Sequence, residues 1–142
     1  MDAREYLLNI RKNNYTIKAL EMELRELRDE SQRASAIDYS KDRVDGGSAV
    51  KEPAFLKALD KLEDKMEKYD KILSDYTDQR EKAFFQLHLL SDGIDTEILY
   101  LKFFKDKSFE QIIRSTYYTE GVVRYHYNKG LEEFDRRKLW EA

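Results

Sequence analysis

The chain has 142 residues and a formal net charge of −3, with 26 Lys plus Arg against 29 Asp plus Glu, which is the wrong sign for a protein held to nucleic acid by overall electrostatics. The absence of cysteine excludes a disulfide framework, a thiolate metal site and a thiol nucleophile. A charged content of 39%, one Pro and five Gly favour an all-α fold, and ten Tyr with seven Phe supply the apolar area that folding needs.

The opening residues carry Arg4, Glu5, Arg11 and Lys12 among the apolar positions, unlike the uncharged core of a signal peptide, and no run of about eighteen apolar residues follows. A cytoplasmic protein without membrane contact is the expectation. From Ala3 the apolar residues fall on a heptad: Ala3, Ile10, Ile17 and Leu24 at one position, Tyr6, Leu20 and Leu27 at the other, with Asn13 interrupting. This predicts one long amphipathic helix to about Glu30, roughly 40 Å at 1.5 Å per residue, which needs a long partner.

The segment "SQRASAIDYSKDRVDGGSAVKE" is rich in Ser, Asp, Gly and charge and reads as a flexible connection at about residues 31–52. The partner helix begins at Pro53, whose missing N–H suits a first turn. Phe55, Leu62, Tyr69, Tyr76, Ala83 and Leu90 alternate there with Leu59, Met66, Leu73 and Leu87, and Arg80 is the one break. An intramolecular hairpin and an oligomeric coiled coil would both bury Ile10, Ile17, Leu20, Leu24, Leu27, Leu59, Leu62, Met66, Tyr69, Leu73 and Tyr76 in a seam. Asn13 and Arg80 are polar seam positions that can specify register.

At "LSDGIDTE" the pattern breaks. Gly93 can end the long helix and Asp95 can cap the next, so the chain divides into a helical region 1–92 and a small domain 93–142. The last third, residues 94–142, holds nine basic and nine acidic residues and is neutral. Ser108-Phe109-Glu110-Gln111 has the pattern of a capping box, and Thr119 before Glu120 starts a final helix with Val123, His126, Gly130, Leu131 and Phe134 on one face. A short helix, a turn and a longer helix have the spacing of a helix-turn-helix.

"ILYLKFFKDKSFEQIIRSTYYTEGVVRYHYNKGLEEF" resembles region 4 of bacterial sigma factors. "MDAREYLLNIRKNN", "YSKDRVDGGS" and "LDKLEDKMEKYDKI" extend the resemblance to phage-encoded proteins of Gram-positive bacteria that include relatives of the ArpU-type late-gene transcription regulators. The resemblance implies a phage-type transcription regulator in the host cytoplasm, with promoter duplex DNA and/or host RNA polymerase as partners. A homodimer would place two recognition helices on half-sites about one DNA turn apart. Several positions depart from the family pattern: Ile113 replaces a small residue, Tyr117 the usual turn Gly and His126 an aliphatic core residue, while Gly121 and Tyr125 stand where related recognition helices often carry polar or basic contacts, leaving Arg124 the only cation in the first two turns.

On the last helix, Thr119, Glu120, Gly121, Arg124, Tyr125, Asn128 and Lys129 are the candidate nucleic-acid-binding residues. Arg to guanine and Asn to adenine are favoured bidentate pairings, whereas Thr119 and Ser108 are fully explained as caps. Tyr117, Tyr118, Tyr125 and Tyr127 could stack on bases, although aromatic core accounts for at least half of them. His88 and His126 read as core or interface histidines, with no second ligand at metal-binding spacing. Neither isolated paired carboxylates, a Gly-rich phosphate loop nor a Ser-His-Asp arrangement occurs, so no enzyme and no cofactor or metal is expected. The rival reading is a protein-interaction module that binds a host protein through the hairpin or a degenerate helix-turn-helix without reading DNA.

Overall fold

The computed structural model describes residues 1–42 and 52–142, and among them every regular element is helical. The two heptad segments form long helices, α1 (Ala3–Asp42) and α2 (Glu52–Leu87). α1 runs past the end expected near Glu30, because Ser31 and Ala34 occupy the next two seam positions after Leu24 and Leu27 and are half-buried. Small residues are tolerated on such a stripe, and the helix-breaking pair Gly46-Gly47 comes only later. The connection expected at 31–52 is thus helical as far as Asp42, and residues 43–51 lie outside the described residues.

The chain forms two compact units, Ile17–Asp75 and a second one made of Met1–Thr16 with Tyr76–Ala142. In Ile17–Asp75, Leu24 and Leu27 are buried, while Ile17, Leu20, Leu59, Leu62, Met66, Tyr69 and Leu73 are half-buried. Leu24 and Leu73 line one hollow, and Arg28 Nη2 lies 3.4 Å from Asp70 Oδ1. The later residue of α1 thus meets the earlier residue of α2, so the helices pair antiparallel within one chain. The Arg28–Asp70 pair is exposed and adds little; burial of the stripe is the main stabilising term.

The division differs from a boundary at residue 92, since the other ends of both long helices belong to the C-terminal core. Ala3, Leu7, Ile10, Ala83, Leu87 and Leu90 cluster with Leu99, Phe103, Phe104, Phe134 and Leu139. Each fully buried large side chain there contributes about 1.5–3 kcal/mol relative to exposure. Tyr76 is half-buried in the same unit.

Polar seam residues are satisfied across the pair. Asn13 Nδ2 donates to Gln79 Oε1 at 3.1 Å, and Arg80 Nε donates to Asn14 Oδ1 at 2.9 Å. Asn14 Nδ2 in turn reaches the carbonyls of Phe103 and Phe104 at 3.3 and 3.2 Å. Buried Gln86 accepts from the Tyr6 hydroxyl and donates to the carbonyls of Trp140 and Ala142, both at 3.1 Å.

The long helix ends at Leu87 rather than at Gly93, and the next cap is Asp92 rather than Asp95. Asp92 accepts from the Ile94 amide at 2.8 Å and starts α3 (Gly93–Leu99), and Asp95 is buried in its first turn. α3 passes directly into a π-helical turn, Tyr100–Phe104, in which Lys105 N donates to Tyr100 O at 3.2 Å. This wider turn lets the adjacent Phe103 and Phe104 both be buried.

Next come α4 (Phe109–Thr116), α5 (Glu120–Arg136) and a final 3₁₀ turn, Leu139–Glu141. Ile98, Ile112 and Val123 form a second apolar cluster joining α3, α4 and α5, with Ile113, Phe109 and Tyr127 packed against it. Among the described residues no helix is long and apolar enough to cross a membrane.

Candidate nucleic-acid interface

Local sequence sets the frame of the α4–α5 pair. Ser108 and Gln111 make the reciprocal capping box, with Gln111 N donating to Ser108 Oγ at 3.2 Å and Ser108 N to Gln111 Oε1 at 2.9 Å. Thr119 caps α5 by accepting from the Val122 amide at 3.3 Å. Between the helices Tyr117 adopts the left-handed conformation (φ 62°, ψ 13°) that favours glycine, and its side chain is 92% exposed.

α5 then divides lengthwise. Val123, Gly130, Glu133 and Phe134 are buried, whereas Glu120, Gly121, Arg124, Tyr125 and Asn128 are exposed and Lys129 is half-buried. Of the sequence candidates, Arg124, Tyr125 and Asn128 share this outer surface. Arg124 Nε is 3.0 Å from Glu120 Oε1, and its guanidinium lies 4.7 Å from the centre of the Phe109 ring. Tyr125 is 60% exposed and Gly121 has open space around it.

Lys129 lies between this surface and α3, its Nζ 5.7 Å from the centre of the Tyr125 ring. Its ammonium donates to Asp92 Oδ2 at 2.8 Å, which raises the Lys129 pKa. The Lys129 hydrogen bond, followed by that from the Ile94 amide, holds the Asp92 carboxyl below its ordinary value.

His126 is not, as its sequence spacing suggested, isolated from carboxylates. Its Nδ1 lies 2.6 Å from Asp95 Oδ1 and 3.6 Å from Asp92 Oδ2, and ligand atoms of these three residues all fall within 4.8 Å of one another. The Lys129 ammonium sits in the same group, 3.8 Å from Asp95 Oδ2. Carboxylates from the start of α3 are thereby tied to two cation-capable groups of α5, which orients α5. His88, read as a core or interface residue, is exposed and bonds the Phe84 carbonyl at 2.8 Å.

Of the four clustered tyrosines, Tyr127 packs between Phe103 and Phe109, with ring centres 6.1 and 5.1 Å away. Tyr118 is half-buried, leaving Tyr117 and Tyr125 exposed.

The fold adds cations that sequence spacing left scattered. Lys102 Nζ lies 4.5 Å from the centre of the same Phe109 ring that Arg124 approaches. Burial, and then the positive charges of Arg11, Arg124 and Arg4, push the Lys102 pKa down. Arg124 is therefore not the only cation at the start of α5: Lys102, from the π-helical turn, meets it over Phe109, and Glu120 balances part of that charge. Nothing in the charge pattern of the sequence signals this, because cations are tolerated at any solvent-facing position.

Comparison of the chain with protein-family models, curated proteins and solved structures finds no match.

Proposed function

We propose that the chain is a phage-type transcription regulator whose α4–turn–α5 segment binds duplex DNA as a helix-turn-helix, with α5 entering the major groove. The carrying observation is the outer surface of α5, where Arg124, Tyr125 and Asn128 stand exposed on a helix whose opposite side is anchored in both apolar clusters. A guanidinium and an amide one helical turn apart suit guanine and adenine edges, and the likeness of this segment to region 4 of sigma factors supports the same use. The promoter and host RNA polymerase are the corresponding partners, in the bacterial cytoplasm. The homodimer belongs to this reading too, because Leu59, Leu62, Met66, Tyr69 and Leu73 are only half-buried and retain apolar area for a second copy.

Fluorescence anisotropy with promoter and random duplexes at low salt tests this. Arg124→Ala or Asn128→Ala should each weaken promoter binding by about 1–3 kcal/mol and relax base preference at one position. Failure of the wild-type chain to bind any duplex at low salt would falsify the proposal.

A protein-interaction reading is favoured by one observation: Glu120 and Asp92 already engage Arg124 and Lys129. It expects a complex with RNA polymerase that forms without DNA and persists in Asn128→Ala.

A further inference from the structure

The start of α1 lies along α5. Ala3 N donates to Asp135 Oδ1 at 3.1 Å, the Tyr6 ring stacks on Phe134 at 5.9 Å, and Arg4 shares a surface hollow with Leu131, Glu132 and Asp135. At the other end of α5, Lys102 and Arg124 meet over Phe109, at 4.5 and 4.7 Å from its ring centre. Arg11 pairs with Asp106, just beyond the π-helical turn, at 2.5 Å. Among the described residues neither Arg4 nor Lys102 takes part in an ion pair.

We infer that Arg4, Arg11 and Lys102 form a phosphate-binding flank, by which the first turns of α1 and the π-helical turn grip the backbone of a duplex seated on α5. This rests on the DNA-binding reading and extends it to residues outside the helix-turn-helix.

Two physical arguments carry it. First, the flank borders both halves of α5, with Lys102 beside Arg124 and Arg4 beside Leu131, so it lies next to any strand that follows the exposed surface. Second, Lys102 is half-buried without a carboxylate partner among the described residues, whereas Arg11 faces Asp106 and Arg4 shares its hollow with Asp2, Glu132 and Asp135. The burial and mutual repulsion that lower the Lys102 pKa are unfavourable in the free protein, and a row of phosphates would relieve them. Such contacts carry no base information; they set register and contribute salt-dependent affinity.

The test is the salt dependence of duplex binding by the full chain. It compares wild type, the double variant Arg4→Gln with Lys102→Gln, and a charge-matched control, Lys61→Gln with Lys65→Gln, at exposed positions in Ile17–Asp75. Circular dichroism verifies that each variant is folded. Each lost phosphate contact lowers the slope of log K against log salt by about 0.9, so the flank variant should lose about two units on promoter and random duplex alike. The control should lose almost none, and base preference should be unchanged in both.

Equal slopes for flank variant and control, with Arg124→Ala still weakening binding, would overturn the flank and leave the DNA reading standing. Absence of wild-type binding to any duplex at low salt would remove both.

Discussion

His126 Nδ1 lies 2.6 Å from Oδ1 of Asp95, a residue with no exposed surface whose other oxygen, Oδ2, has no hydrogen-bond partner. Removing one member of a buried polar pair leaves the other unsatisfied, whereas replacing both with apolar groups is far less costly. His126→Ala should therefore destabilise the fold by about 3–5 kcal/mol, and His126→Leu combined with Asp95→Leu by much less than the summed single changes. Urea unfolding of the four-member mutant cycle measures the coupling; additive effects would show that the pair does not interact.

The left-handed Tyr117, at φ 62°, is a position where a side chain costs about 1–2 kcal/mol that glycine does not incur. Its side chain is almost wholly exposed, so little packing is lost on removing it. Tyr117→Gly should raise the unfolding free energy by about 1 kcal/mol, less the extra chain entropy of glycine. A clear loss of stability would mean that the phenol makes contacts this geometry lacks.

Two glycines of α5 should respond oppositely. A Cβ on Gly130 would lie 3.0 Å from Leu99 Cδ1 and 3.2 Å from Asp95 Cβ, so Gly130→Val should cost about 1–3 kcal/mol by overpacking the α3–α5 contact. Nothing lies within 4 Å of a Cβ at Gly121, and Gly121→Ala should gain up to about 1 kcal/mol of helix propensity. Thermal melts of the two variants against wild type read the contrast directly.

Acid should weaken the α3–α5 contact. Asp92 is held below its ordinary value of 3.8 by Lys129 and the Ile94 amide. For Glu133, burial pushes upward from 4.5 but is outweighed by hydrogen bonds from Ser91 and Arg137 and by the Ser91 amide, and the net shift is down. A carboxyl with a depressed folded value contributes stability that is present above its unfolded value and lost as pH falls through the folded one. Stability should therefore decline below about pH 4.5. Lys129→Met should make the decline shallower below 3.8, where Asp92 titrates. At high pH the sign reverses for Lys129: its raised value means that its contribution is complete below 10.5 and lost as pH rises through the higher folded value. Unfolding free energy measured against pH for both proteins decides this, and parallel curves would count against the Lys129–Asp92 bond.

The elements themselves were legible in the sequence wherever the signal is short-ranged. The heptads marked both long helices because an α-helix returns to the same face within three or four residues, and the Ser108 and Thr119 caps declared themselves because a cap bonds an amide only three positions away. The exposed surface of α5 could be read in the same way, as what remains when Val123, Gly130 and Phe134 turn inward. Local rules faltered where two readings were equally good over a few residues: Asp92 and Asp95 are both plausible caps, and small residues after Glu30 suit a loop or a helix. Packing chose Asp92, burying Asp95 against His126 across 31 residues of chain. Only the tertiary structure placed Lys102 beside Arg124 and Arg4 beside the far end of α5. A solvent-facing charge has no periodic constraint, so its neighbours are decided by how the helices pack and not by anything in its own stretch of sequence.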